Sequence, residues 1–191
     1  MNILIKGLAG LPVFNPLCSD IKSGRLPALV TGLSHIHKAH FTASLCAALN
    51  LKAVILTADE AEAARLCDDL SSFGVKSLLL PARDLTLRSF ESASREFEQQ
   101  RLGVLARMAA GDSQIVVAGI DAAVQHTLPP SALHSRTFTI KAGAALPVKD
   151  LAAALAAAGY ERCEQVEGAG QFAVRGGIYD IFPADSPAPV R

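Results

Sequence analysis

The sequence predicts an α/β fold: a parallel-sheet domain over about residues 1–130, followed by a partial α+β subdomain over 134–191. Three observations predict it. Through the first two-thirds, short apolar runs without polar alternation take turns with helical patterns, as strands covered by helices on a parallel sheet do. A Pro-rich stretch, TLPPSALHS at 127–135, then interrupts the pattern. Beyond it the signals change to alternating strands and glycine turns.

In order, Ala28–Thr31 reads as a short strand, residues 38–49 as a helix and Ala53–Thr57 as a strand. Asp59 and Glu62 make a capping-box-like helix start, with the Asp59 carboxylate accepting from free N–H groups of the first turn. Leu66, Leu70 and Phe73 recur on one face of that helix, and Gly74 stops it. Ser77–Leu80 is the next strand, ended by Pro81, and residues 82–93 are irregular. A helix from about Ser94 to Ala110 carries Phe97, Val104, Leu105 and Met108 as its apolar stripe, closed by Gly111. Ile115–Ala118 is a buried strand.

In the second part, Thr137–Ile140 alternates as a half-buried antiparallel strand would. Residues 147–158 form an Ala-rich helix with Val148, Leu151, Leu155 and Ala158 on one face, capped by Gly159. Glu164–Val166 and Gln171–Arg175 flank EGAG as a hairpin, and Gly176-Gly177 permits a bulge or bend before Ile178–Phe182. This small sheet is expected to be truncated at its C-terminus.

Half of the 191 residues are apolar and 19% are charged, a globular composition able to bury a core without disulfides or metal. Eighteen basic residues balance eighteen acidic ones, so the overall basic excess usual in proteins that hold DNA through its phosphates is missing. Weak or no DNA binding is expected. Cys18, Cys46, Cys67 and Cys163 have neither disulfide-scaffold nor zinc-site spacing, which points to reduced thiols and a cytoplasmic protein. No run of about 18 apolar residues is present to span a membrane.

The sharpest local feature is TGLSHIHKA at 31–39, where a P-loop, G-x-x-x-x-G-K-[ST], would lie. Gly32 and Lys38 hold their places. His37 replaces the second glycine, whose missing Cβ lets the backbone wrap phosphates, and Ala39 replaces the hydroxyl residue that ligates Mg²⁺. The domain is therefore expected to be P-loop-like but degenerate, without catalysis or cofactor. His35, His37 and His40 cluster nearby, but no carboxylate or thiol adjoins them in sequence, so they read as a solvated helix start and no metal is expected. No G-x-S-x-G elbow marks a nucleophile.

Gly159–Phe182 is the most distinctive stretch. Arg162 and Arg175 punctuate an otherwise apolar segment, either as a solvated pair or as a recognition face, since the planar guanidinium fork suits carboxylate partners.

FAVRGGIYDIFP, residues 172–183, resembles the V-R-G-x-hydrophobic-x-D-hydrophobic-F-P segment shared by UvrB and the transcription-repair coupling factors, within their UvrA-binding subdomain. GYER (159–162), LPARDLTLRSFESASREFEQQRL (80–102) and IVVAGIDAAVQ (115–125) are similar to further family segments in the same order. UvrB keeps an intact P-loop where this chain has GLSHIHKA, so the coupling factors are the nearer match. The sequence departs from UvrB at Ala173, where a basic residue stands, and at LTLR, where LPYD would fall.

The resemblance implies a degenerate helicase-type first domain and a non-catalytic adaptor that mimics UvrB and recruits UvrA to stalled RNA polymerase. In the full-length family member, an ATP-dependent DNA translocase, RNA polymerase and DNA are the further partners implied. The resemblance assigns partner binding to Arg175, to Arg191 on a following strand and to Arg162 of Y-E-R. The alternative is a nucleotide-dependent DNA-remodelling enzyme of the UvrB kind, and residues 37 and 39 discriminate against it.

Overall fold

The structure, a computed structural model, describes residues 7–83, 95–112, 115–143, 145–146, 150–186 and 188–191. It is mixed α/β, with one parallel three-stranded sheet and a separate small sheet. Contacts divide the chain into two compact units, Met1–Leu80 with Ser113–Val124, and Pro81–Asp112 with Gln125–Arg191.

The first unit contains helices α1 (Phe14–Lys22), α2 (His35–Leu49) and α3 (Glu60–Ser72), and strands β1 (Ala53–Thr57), β2 (Ser77–Leu80) and β3 (Ile115–Gly119). The strands lie in the order β1-β3-β2, all parallel, as the non-alternating runs predict. β3 is central and buried along its whole length, whereas edge strand β1 leaves Val54 63% exposed. Ala39 and Ala43 of α2 and Ala63, Leu66 and Leu70 of α3 form the core with Ile115 and Val117. Asp59 caps α3 as predicted, its carboxylate accepting from Glu62 N–H at 2.7 Å. At the other end Gly74, at φ +74°, donates to Ser71, and Val75 donates to Leu70. Only a residue comfortable in the left-handed region closes a helix in this way.

Ala28–Thr31 is not a strand. Leu29 is 89% exposed, and the run has no partner in the described sheet; a strand persists only as one half of a hydrogen-bonded ladder.

The second unit contains α4 (Arg95–Ala110), which the boundary expected near 130–134 assigned to the first domain. Its buried side is only partly the predicted one: Val104 and Leu105 are half-buried. Phe97 and Met108 are exposed, while Gln99, Arg101 and Gly103 are buried. The Arg101 guanidinium donates to the Pro81 carbonyl at 2.8 Å, Gln99 lies against Gly170, and a Cβ at Gly103 would stand 2.6 Å from the Ala184 carbonyl oxygen. What covers a helix, not its hydropathy alone, selected the face. Residues 84–93 of the stretch expected to be irregular, Ser94 and residues 147–149, Val148 among them, lie outside the described residues.

The short helix α5 (Ile120–Ala123) ends the first unit; α6 (Pro130–Arg136) and α7 (Leu151–Ala157) follow in the second. Pro130 opens α6 at a position where its missing N–H costs nothing, so the Pro-rich stretch begins a helix. Thr137–Ile140 is not a strand; Phe138 packs instead on the cluster of Leu151, Leu155, Phe172 and Ile181. The small sheet has the order β4-β5-β6, from β4 (Glu161–Arg162), β5 (Gln171–Arg175) and β6 (Ile178–Ile181).

EGAG is not a hairpin turn, because β4 runs parallel to β5 and Glu164–Val166 is not a strand. The hairpin is β5–β6. Its two-residue turn is Gly176-Gly177, at φ +58° and +94°, the left-handed pair that a tight hairpin demands and that EGAG, with positive φ only at Gly170, does not supply.

Candidate functional site

The segment Gly32–Lys38 opens α2. Gly32 has φ +78°, Ser34 stands at the N-cap, and its hydroxyl lies 3.0 Å from His37 Nδ1. Lys38 Nζ reaches Glu62 Oε1 at 3.5 Å, and the other Glu62 oxygen accepts from Ala58 N–H at 3.2 Å. That N–H holds the Glu62 carboxyl below its ordinary range; burial opposes it, and Lys38 adds to it. Ala39 is fully buried among the apolar side chains of α2, α3 and the sheet, so its methyl belongs to the core. The loop borders an open cavity of about 330 Å³ lined in part by His35, Lys38, Thr57, Glu62 and Arg65.

The three histidines diverge. His35 borders the cavity, His37 meets Ser34, and His40 stacks on Phe73 with ring centroids 4.9 Å apart. Among the described residues no group of three or more His, Cys, Asp or Glu could hold a metal ion. The four cysteines are free thiols, and burial pushes Cys46 and Cys67 up.

The small sheet builds a second charged constellation. Alternation along β5 turns Phe172 and Val174 to the core and Ala173 and Arg175 to the opposite face. Across the hairpin Arg175 pairs with Ile178 and Ala173 with Asp180, which sets Asp180 diagonal to Arg175 on that face. Arg175 Nη2 donates to Asp180 Oδ2 at 2.5 Å. A bridge between Ile181 and Val190 brings the chain back beside β6. Arg191 then donates from Nε to Asp180 Oδ1 at 2.6 Å and from Nη2 to Oδ2 at 3.1 Å.

The two arginine side chains are 61% and 68% exposed, and that of Asp180 is 13% exposed. Arg191 first and Arg175 second lower the Asp180 pKa from 3.8 to about 2. Arg162 stands apart. It is in register with Phe172, so the pleat assigns it to the other side of the sheet from Arg175, at the β4 edge.

Sequence reasoning missed Asp180. The signal was present: with Gly176-Gly177 as the turn, counting outward places 175 opposite 178 and 173 opposite 180. The EGAG reading hid that register.

Residues 138–191 match the family model described as the UvrB interaction domain. Over 181 residues the chain is 34% identical to the transcription-repair-coupling factor of Bacillus subtilis, covering 93% of this chain and 15% of that protein. The Staphylococcus aureus (strain MRSA252) factor is 28% identical over 84% of this chain and 14% of its own length. The Haemophilus influenzae factor is 32% identical over 72% and 12%. The chain thus belongs to the transcription-repair-coupling factor family, as a module spanning about 15% of the length of such a relative.

Proposed function

We propose that this chain is a non-catalytic adaptor that binds UvrA, and that within a longer coupling factor it recruits UvrA to stalled RNA polymerase. The observation that carries the reading is the pair of exposed guanidinium groups, Arg175 and Arg191, fixed on one face by Asp180 inside the stretch that matches the UvrB interaction domain. Their planar forks suit acidic side chains at an interface. The face centres on these two; Arg162, on the other side of the small sheet at the β4 edge, is proposed as a separate contact outside that face. The functional subdomain begins near residue 134, a boundary supported by the family match from 138.

The first unit is proposed to be a degenerate helicase-type P-loop domain. The helix opening at Gly32–Lys38 and the parallel sheet support this; the missing strand at Ala28–Thr31 weighs against an intact nucleotide site. Pairing of Lys38 with Glu62 and burial of the Ala39 methyl favour the adaptor over the nucleotide-dependent enzyme. RNA polymerase and DNA are partners of the longer protein, this module binds DNA weakly, and its setting is cytoplasmic. Among the described residues no helix is long and apolar enough to cross a membrane.

The deciding experiment is capture of purified UvrA on the immobilised chain, paired with calorimetric titration of ATP–Mg²⁺. UvrA binding without micromolar nucleotide binding supports the adaptor. Nucleotide binding that Lys38→Ala abolishes would falsify it.

A further inference from the structure

Two exposed arginines on a surface normally sample many rotamers, and a partner that binds them must freeze both. Here they do not move independently. One carboxylate, on the strand between them, accepts from both guanidinium groups. Asp180 is itself anchored: its strand pairs with β5 on one side, and its neighbour Ile181 bridges to Val190 on the other.

A guanidinium carries five N–H donors. Arg175 gives Asp180 one of them and Arg191 gives it two, so seven of ten remain for a partner. Two cations and one anion also leave the cluster with a net charge of +1. The carboxylate therefore fixes the forks without using them up.

We propose that Asp180 is a positioning residue that pre-organises Arg175 and Arg191 for acidic groups of the binding partner. The inference rests on the UvrA-binding reading above and adds a residue that does not itself meet the partner. Removing the Asp180 charge raises the cluster from +1 to +2, which does not slow encounter with an acidic surface. The guanidinium groups then lose their shared anchor, and the loss falls on the dissociation rate.

The test is surface plasmon resonance of the chain against purified UvrA, with a thermal melt of every variant. Asp180→Asn is expected to raise the off-rate about tenfold, since freezing each long side chain costs a several-fold factor in affinity. Its on-rate should equal or exceed that of the wild type, and its melt should stay close. Asp180→Glu, which restores the charge on a longer arm, should recover part of the loss.

Arg175→Ala and Arg191→Ala in the same assay separate the two levels of the argument. If they lose binding while Asp180→Asn binds as tightly as the wild type or tighter, Asp180 is a bystander or an internal competitor and this inference falls alone. If Asp180→Asn weakens binding and melts early together, Asp180 supports the fold and the inference also falls. If the arginine variants bind like the wild type, the face itself is wrong and both readings fall.

Discussion

The loop at Gly32–Lys38 and the arginine pair of the small sheet both set basic side chains against a carboxylate, and they end in opposite states. At the loop one lysine meets one glutamate, whose other oxygen is already taken by Ala58 N–H. The charges cancel. At the face two arginines share one aspartate, leaving a positive remainder and exposed donors. The difference teaches that a basic residue signals binding only after its internal partner has been counted. Lys38, the residue closest to a recognised motif, is offset within its own unit; Arg175 and Arg191 are not.

The sharpest way to break this comparison is to remove an arginine. Arg175→Ala should weaken UvrA binding by about 2 kcal/mol, roughly thirtyfold, as central interface arginines do. Arg175→Glu should cost more, because it also sets a second carboxylate beside Asp180. The alanine variant should melt within roughly half a kcal/mol of wild type, as exposed substitutions do. Unchanged binding by surface plasmon resonance would erase the distinction between the two regions.

The helix caps probe each region separately. Asp59 caps α3 in the loop's unit, and Asp150 caps α7 beneath the small sheet, accepting from Ala153 N–H at 3.0 Å. Either substitution to alanine should cost about 1 kcal/mol of stability in denaturant titration. Only Asp150→Ala should also weaken UvrA binding, since α7 supplies Leu151 and Leu155 to the core under β5 and β6. Equal losses of UvrA binding in both variants would refute the separation.

Acid sharpens the contrast further. The Asp180 pKa is depressed in the folded chain, so its contribution to stability, small because both arginines are solvent-exposed, is complete above the ordinary aspartate value of 3.8 and is lost as pH falls through about 2. Asp180→Asn should flatten the acid limb of a stability–pH profile within that window and leave the profile at neutral pH parallel to wild type. A limb of unchanged slope would show that the arginine pairs do not hold in solution.

The smallest expected effect belongs to Lys38. Its pair with Glu62 is half exposed, so Lys38→Met should change stability by roughly half a kcal/mol or less and leave UvrA binding unaltered. A several-fold loss of UvrA binding would return the loop to the functional site.

What could be read from the sequence divides by the distance over which each signal acts. Asp59 before its helix, Gly74 and Gly159 after theirs, and the runs Ala53–Thr57 and Ser77–Leu80 were all legible. Caps and turns are settled by groups within about five residues, and a buried strand carries its apolar run with it. The departures of residues 31–39 from the P-loop pattern, at His37 and Ala39, are likewise read position by position.

The sequence by itself determined the parallel α/β character of the first unit, the ends of its helices and the family segments along the chain. Only the tertiary structure decided that Ala28–Thr31 stays out of the sheet, that α4 buries Gln99, Arg101 and Gly103, that β4 lies parallel to β5, and that Asp180 joins Arg175 to Arg191. Each of these depends on a partner supplied by a separate element: a ladder edge, a covering loop, or a carboxylate brought across a hairpin. A strand, a buried helix face and an ion pair are properties of two surfaces, and the sequence around one of them specifies only half.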